Sequence, residues 1–333
     1  MTATSTPYTD WADPHWRATA LDWVTDQLGR HGRRVTGPVE PRIRPWSLVW
    51  RVPTDAGDAW FKANNPGTRH EAWLLALLAR RTPGRVLDPI AVDPARGWSL
   101  LPDGGESLRD VLGRDGDLSR WERVLPGYAA LQLALASRVD ELLAAGVPDH
   151  RPEVLPRLLA ELLDDRAALL IGTADGLTPQ TYDRLRGLLP DYADRCRRLA
   201  ELGIGPSIQH DDLHDGNVFA AGDGYRFFDW GDASVAHPFG TLLVTLNSVG
   251  HAFELAPGDP ALVRLRDAYL EAWTDRYDRA TLREAAGLAI GVTKVSRALS
   301  WRRALDTADP ATRARYAAAV PGWLGELLEP DPA

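Results

Sequence analysis

Between Gln209 and Asp232 the chain gathers acids, histidines and an asparagine in a segment flanked by apolar residues. The order is Gln209-His210-Asp211-Asp212-Leu213-His214-Asp215-Gly216-Asn217, then Phe228-Asp229-Trp230-Gly231-Asp232. An aspartate followed five positions later by an asparagine, with a second aspartate beyond a short hairpin, is a set suited to phosphoryl transfer. One carboxylate orients or deprotonates an acceptor hydroxyl, and two oxygen donors hold a hard cation such as Mg²⁺. The turn Gly222-Asp223-Gly224 is expected to join Asn217-Val218-Phe219-Ala220 to Tyr225-Arg226-Phe227-Phe228 as that hairpin. Its return brings Asn217 and Asp229 to the same edge, where they can share a metal. Taken singly, Asp212 and Asn217 are also ordinary turn-capping types. His210 and His214 stand four apart, but no glutamate-bearing helical zinc motif accompanies them, and hydrogen-bonding scaffold is the plainer reading.

A second clue lies upstream. The basic residues are almost all arginine, and the only two lysines are Lys62 and Lys294. Lys62 sits in the apolar run Trp60-Phe61-Lys62-Ala63, where burying an amine is costly unless an anion meets it. A lysine at such a position, in a chain that otherwise uses arginine, points to a compact ammonium where a planar guanidinium would not serve. Lys294 lies on a helical stretch with no phosphate chemistry nearby and reads as a solvated or acceptor-side residue.

The elements that must position these groups follow from hydrophobic period. Trp11 to Leu28 has helical spacing and stops at Gly29 and Gly32; Arg42 to Val52 and Ala59 to Ala63 read as two antiparallel strands around Thr54-Asp55-Ala56-Gly57-Asp58. Arg69 to Arg81 is helical again, and Val86 to Val92 with Gly97 to Leu101 read as two further short strands. After Pro102-Asp103-Gly104-Gly105 the helical runs Leu118 to Ala145, Val154 to Ile171 and Pro179 to Leu202 follow, and helices resume from Thr241. The island Ile204 to His237 is non-helical. The division between lobes is placed at Pro102-Asp103-Gly104-Gly105, with residues 1–103 forming one and 104–333 the other.

His210-x-Asp212-Leu213-His214-x-x-Asn217 and Phe228-Asp229-Trp230 together resemble the aminoglycoside phosphotransferase family, small-molecule kinases with a protein-kinase-like fold. The resemblance covers most of the chain. It implies an α+β, two-lobed, protein-kinase-like fold, with a small N-terminal antiparallel sheet lobe that binds nucleotide and a larger, mainly helical C-terminal lobe. That second lobe would carry the catalytic loop (204–219), the metal-binding segment (228–232) and the acceptor site. Carried over by residue, Asp212 is the catalytic aspartate, Asn217 and Asp229 are Mg²⁺ ligands, and His210 braces the loop. Lys62 meets ATP phosphate, with Glu71 as its helix partner, although an acid in a first helical turn is also favoured by the dipole alone. Leu101 stands at the hinge that holds adenine. No Gly-x-Gly-x-x-Gly occurs between Arg42 and Val52, so Arg44-Pro45-Trp46-Ser47 is the phosphate-covering turn, with Ser47 and backbone N–H groups as donors. Asp232 and Trp230 are candidates for the acceptor side or its supports. Asp211 stands where the family usually has glycine.

The resemblance implies an ATP- and Mg²⁺-dependent phosphotransferase acting on a small-molecule hydroxyl, such as an aminoglycoside-like antibiotic, an amino-sugar or a sugar. A metabolic alcohol, choline-like or a hydroxy-amino acid, is the alternative acceptor, and a nucleotide-binding regulatory module is the alternative of another class. Trp230, Trp273 and Trp301 could wall the acceptor site, with Glu254, Asp259 and Asp275 as acidic complements to a cation. Composition excludes other classes. With 333 residues, 44% hydrophobic and 25% charged, the chain can bury a sizeable core. A net charge of −8 has the wrong sign for a dedicated nucleic-acid binder. One cysteine, Cys196, forms no internal disulfide and fits a reducing cytoplasm. Met1 to Asp13 lacks the basic and apolar regions of a signal peptide, and the longest stretch without a formal charge, Ala233 to Phe253, is too polar to span a membrane. Neither a membrane nor a nucleic-acid partner is expected.

Overall fold

Asp13 starts the first helix, α1 (Pro14–Arg30): its carboxylate accepts the His15 N–H, and Pro14 occupies the turn whose N–H groups have no intrahelical partner. Gly32, at φ +69°, follows its end. The computed structural model describes residues 10–222 and 224–332. Asp223 of the expected hairpin turn and the first nine residues lie outside them.

Strands β1 (Glu40–Ile43), β2 (Ser47–Val52), β3 (Ala59–Asn64), β4 (Ala91–Asp93) and β5 (Trp98–Pro102) form an antiparallel sheet in the order β1-β2-β3-β5-β4. Alternation along β3 divides its side chains. Ala59, Phe61 and Ala63 enter a core with Leu48, Trp50, Trp98 and the Val24 and Leu28 side of α1. Lys62 therefore faces the opposite side of the sheet. Within that core Trp16, Trp23, Trp50, Phe61 and Trp98 pack with ring centroids between 4.9 and 6.1 Å apart. The expected strand Arg42 to Val52 is broken in two, because the chain turns at Pro45 and Arg44 N–H closes onto Ser47 C=O at 2.8 Å. The expected strand Val86 to Val92 shrinks to the three residues of β4, since Pro89 offers no N–H to a ladder.

Helix α2 (His70–Arg81) crosses to the larger core, burying Leu74, Leu75, Leu77 and Leu78 there. Helices α3 (Leu108–Asp115), α4 (Arg120–Leu135) and α5 (Val139–Ala144) follow, then the short strand β6 (Asp149–His150). Next come α6 (Leu155–Asp164), α7 (Arg166–Leu169), α8 (Pro179–Gly187) and α9 (Leu189–Glu201). All three long helical runs read from the sequence are thus interrupted, one by a 3-10 turn at Ala136–Arg138, one at Asp165 between α6 and α7, and one ahead of Pro190. Strands β7 (Ser207–Gln209), β8 (Val218–Ala221), β9 (Gly224–Phe227) and β10 (Ser234–Ala236) build the non-helical island. The chain then closes with α10 (Thr241–Ala252), α11 (Pro260–Glu271), α12 (Arg279–Asp306), α13 (Pro310–Arg315) and α14 (Ala319–Gly325). Among the described residues no helix is long and apolar enough to cross a membrane.

The island explains how the polar residues are held. Strand β10 pairs antiparallel with β7, Ser234 opposite Gln209, and parallel with β6. Strands β8 and β9 form the hairpin, Val218 opposite Phe227. The loop from His210 to Asn217 therefore leaves one sheet and enters the other, and the segment from Phe228 to Ala233 returns between the same two sheets.

Candidate active site

Lys62 is the first fixed point. Its Nζ lies 2.6 Å from Glu71 Oε2 and 2.5 Å from Asp229 Oδ1. Strand β3, helix α2 and the segment after β9 thus meet at one ammonium. Glu71 is 1% exposed, and its other oxygen accepts the Trp230 N–H at 2.9 Å. Burial works to lower the Lys62 pKa, but Asp229 and then Glu71 outweigh it and hold the amine charged. Burial likewise works to raise Asp229, and the Lys62 cation holds it below the usual carboxylate range.

The loop after β7 is braced by His210. Its Nε2–H donates to Phe228 C=O at 2.8 Å, its Nδ1 accepts the Asp212 N–H at 3.3 Å, and its own N–H donates to the Tyr128 hydroxyl. These contacts need a neutral ring, and burial lowers the His210 pKa accordingly. Asn217 then closes the loop: its Nδ2 donates to Asp212 C=O at 2.9 Å, with Asp212 Oδ2 at 3.4 Å. Asn217 C=O accepts the Phe228 N–H at 3.1 Å, which sets Asn217 beside the segment bearing Asp229. Asp229 adopts φ +63°, a left-handed conformation that aspartate tolerates at some cost.

Asp212 carries the second fixed point, which the sequence did not reveal. Arg297, from the middle of α12, places Nη2 at 3.0 Å from Asp212 Oδ1 and Nη1 at 2.8 Å from Asp232 Oδ2. Its side chain is 5% exposed, against 30% for Asp212. Burial works to raise the Asp212 pKa, and the Arg297 cation, with smaller help from His214, drives it well below the usual range. Both aspartates line a cavity of about 180 Å³ together with Asp229, Gly231, Trp46, Ser300 and Trp301. Asp232 thus lines the same cavity as Asp212 and shares its guanidinium.

Asp211 turns away from that cavity at φ +61° and is 1% exposed. It accepts from Ser234 Oγ at 2.5 Å and from Gln209 Nε2, so its carboxylate stitches the loop to β10 and β7. Burial pushes its pKa up to about 7. A left-handed backbone at this position agrees with glycine being the usual residue in the family that the motif resembles.

Other expectations are placed differently. Trp230 offers no face to an acceptor: it is fully buried, tilted against His210 with centroids 4.6 Å apart, and contributes its N–H to Glu71. Trp273 is core as well, packed on Phe239. Of the three tryptophans expected as a wall only Trp301 lines the cavity, edge-on to Trp46 at 5.4 Å. Glu254, Asp259 and Asp275 are not among its lining residues, and Asp259 caps α11. Ser47 is buried at the start of β2, its carbonyl closing the Arg44 turn. Leu101 pairs with Trp60 on β3, one position past the last β4 pair, Ala91 with Leu100. Lys294 is neither solvated nor on the acceptor side. It is buried and donates to the carbonyls of Glu326 and Glu329, each at 2.9 Å, with Asp331 Oδ1 at 2.7 Å, anchoring the C-terminal segment.

The donors present fit a hard divalent cation. Among the described residues, Asn217 spends its amide N–H on Asp212 and its side-chain oxygen meets no protein donor, and Asp229 Oδ2 likewise meets none, on a side chain 41% exposed.

No protein-family model and no curated protein matches this sequence. Solved structures do match in fold. Ethanolamine kinase from Plasmodium vivax superposes with a TM-score of 0.61 at 11% identity, covering 93% of this chain and 89% of that one. The chain has the protein-kinase-like fold of these small-molecule kinases. Macrolide 2′-phosphotransferase from Brachybacterium faecium is similar at a TM-score of 0.54 and 17% identity, over 90% of this chain and 98% of that one. An amicoumacin kinase solved with AMP-PNP, Ca²⁺ and amicoumacin is similar at 0.54 and 12%, over 95% and 96%. The two-lobed α+β architecture expected from the motif is therefore present, with the sheet on one side of the Lys62 junction and the helices on the other.

Proposed function

We propose that this protein is a kinase that moves the γ-phosphoryl group of ATP to a hydroxyl of a small molecule. The observation that carries the reading is the Lys62–Asp229 contact at 2.5 Å, which joins residues 167 apart. It ties the sheet lobe to the segment whose neighbouring loop presents Asp212 and Asn217. Structures of the same fold that bind AMP-PNP or act on macrolides and ethanolamine support it. On this reading residues 1–103 form the nucleotide lobe, with its hinge about Leu101, and residues 104–333 form the acceptor lobe.

Each residue then has a task. Lys62, fixed by Glu71, neutralises phosphate oxygens, and its compact ammonium reaches them from the floor of the sheet. Ser47 and the N–H groups of the Arg44–Ser47 turn cover the phosphates. Asn217 and Asp229 would hold Mg²⁺, which supplies charge neutralisation of the triphosphate when bound. Asp212 orients the acceptor and takes its proton: the acceptor oxygen bonds to the γ-phosphorus, the bond from that phosphorus to the β,γ-bridging oxygen breaks, and ADP leaves. His210 holds the loop throughout. Because Asp212 sits far below neutral pKa, its part is orientation first and late proton acceptance second, as a loose transition state allows.

The test is ADP formation from Mg²⁺-ATP with pooled acceptors: aminoglycosides, macrolides, hexoses, amino-sugars, choline-like amines and hydroxy-amino acids. A pool that raises ADP output in the native protein but not in Asp212→Asn establishes the activity and leads to the acceptor. Equal output from both proteins would remove Asp212 from the reaction.

A further inference from the structure

We infer that Arg297 is a positioning residue for the reaction: from α12 it clamps Asp212 and Asp232 in one geometry and thereby selects which oxygen of Asp212 meets the acceptor. This rests on the role proposed for Asp212.

The geometry is that of a fork used across two residues. One terminal nitrogen takes Asp212 Oδ1 at 3.0 Å and the other takes Asp232 Oδ2 at 2.8 Å. A guanidinium can do this because its donors diverge in a fixed plane, whereas an ammonium holds partners only about one point. With Oδ1 committed, Asp212 Oδ2 is the oxygen left for an acceptor, and it lies 3.4 Å from Asn217 Nδ2 and 3.6 Å from His214 Nε2. Removing the cation would leave two carboxylates facing one cavity, free to repel and rotate apart. Arg297 is itself held. Its Cζ lies 5.4 Å from the centre of the Trp323 ring, and its helix is buried on most sides from Leu282 to Ser300. Trp323 belongs to α14, whose continuation is anchored by Lys294, three residues before Arg297. The C-terminal segment thereby reaches the site through a ring and a guanidinium, without lining the cavity itself.

The experiment separates positioning from charge burial. Arg297→Gln takes the guanidinium from both half-buried carboxylates and can fail to fold, so the informative pair is Asp232→Asn and Arg297→Gln/Asp232→Asn. Over these three positions the double variant carries the charge of the native site, and Arg297→Lys/Asp232→Asn carries that of Asp232→Asn, so the part of the loss that lysine leaves unrestored is position and not charge. ATP hydrolysis with water as acceptor is measured with Mg²⁺-ATP, alongside Asp212→Asn as the chemical floor and with folding checked by circular dichroism. The expected result is a kcat at least tenfold lower in the double variant than in Asp232→Asn, with KM for Mg²⁺-ATP unchanged and part of the loss restored by Arg297→Lys/Asp232→Asn. Equal kcat in the two variants overturns the proposal, as does a change confined to KM or a lysine no better than glutamine. Native hydrolysis no faster than Asp212→Asn overturns it in a different way, by removing the role of Asp212 on which it stands.

Discussion

Lys62 and Arg297 each stand between two carboxylates, one on either side of Asp212 and Asp229, and they do so by different means. Lys62 gathers Glu71 and Asp229 around a single nitrogen at 2.6 and 2.5 Å; Arg297 spreads its contacts to Asp212 and Asp232 over two nitrogens at 3.0 and 2.8 Å. The lysine joins elements far apart in the chain and leaves the site poised for an anion that can share its charge. The arginine is enclosed on its own helix, backed by a ring, with no third partner on its buried Nε. On the proposed function, the cation that meets incoming phosphate is a point charge at a junction. A cation meant to fix side chains is a rigid fork inside a helix face.

The largest expected effect lies on the arginine side. On the role proposed for Asp212, Asp212→Asn keeps the shape and removes the acceptor for the proton, so turnover should fall by about 10²- to 10⁴-fold. Nucleotide affinity, measured by calorimetry with Mg²⁺-ATP, should hardly move, because Asp212 contacts neither Lys62 nor Glu71. An equal loss of affinity would mean that the two clusters are one unit and would dissolve the comparison.

Next comes the lysine side. Lys62→Met leaves Glu71 buried without its cation, and removing one partner of a buried pair costs about 3–5 kcal/mol. Urea unfolding should show that loss, with the nucleotide-dependent gain in stability gone as well. Lys62→Arg should recover much of the stability and little of the nucleotide effect, since the charge returns but the wider guanidinium displaces the phosphate position. If arginine restores both, the compactness of the ammonium is not what the site requires.

The same contrast governs what the sequence made legible. Lys62 stood out because 36 of the 38 basic residues are arginines. Asp212, Asn217 and Asp229 stood out because a loop and a hairpin keep them within eighteen positions. Arg297 had no such signal: its helix is apolar on most sides, its partners lie 65 and 85 positions earlier, and only tertiary packing brings them together. The two charged residues inside the run Val292 to Ala298 were the available hint, and of these Lys294 proved to be a tail anchor. Trp230 stands among the supports of the site and not in an acceptor wall for a related reason. Its neighbours in sequence are site residues, yet the 3-10 turn at Trp230–Asp232 sends Asp232 to the cavity and the indole to the core. The strand that Pro89 shortens and the helices broken at Ala136 and Leu188 show where local period was overruled by single residues and by packing.

A smaller effect sharpens the boundary between the clusters. Asp211 has its pKa raised to about 7, with burial as the main cause. A folded-state value above the unfolded one means that the native protein binds the proton more tightly. Its contribution to stability is therefore complete below about pH 4 and is lost as pH rises through 7. Asp211→Asn should flatten the decline of Tm between pH 4 and pH 8 while keeping the bonds to Ser234 and Gln209 in altered form. An unchanged slope would show that Asp211 is ionised throughout and held by its donors. Asp211→Gly should accept the left-handed backbone but lose the stitch to β10, so its thermal stability should fall even though its conformation is easier.

The smallest expected effect concerns the support behind the arginine. Trp323→Leu keeps apolar bulk on α14 and removes the ring face from Arg297, a cation–π contact worth about 0.5–2 kcal/mol. Because Arg297 keeps both carboxylates, the guanidinium should stay in place but range more widely, and turnover should fall only about threefold to tenfold. Trp323→Phe retains a ring and should lie between leucine and the native residue, which a change in apolar packing alone would not produce. The order of turnover Trp, Phe, Leu, with one common KM for Mg²⁺-ATP, would extend the acceptor-side cluster to the C-terminal segment. A KM that moves with the same series would instead tie α14 to the nucleotide side. The contrast between a shared ammonium and an enclosed guanidinium would then no longer describe how the two halves of the site divide their work.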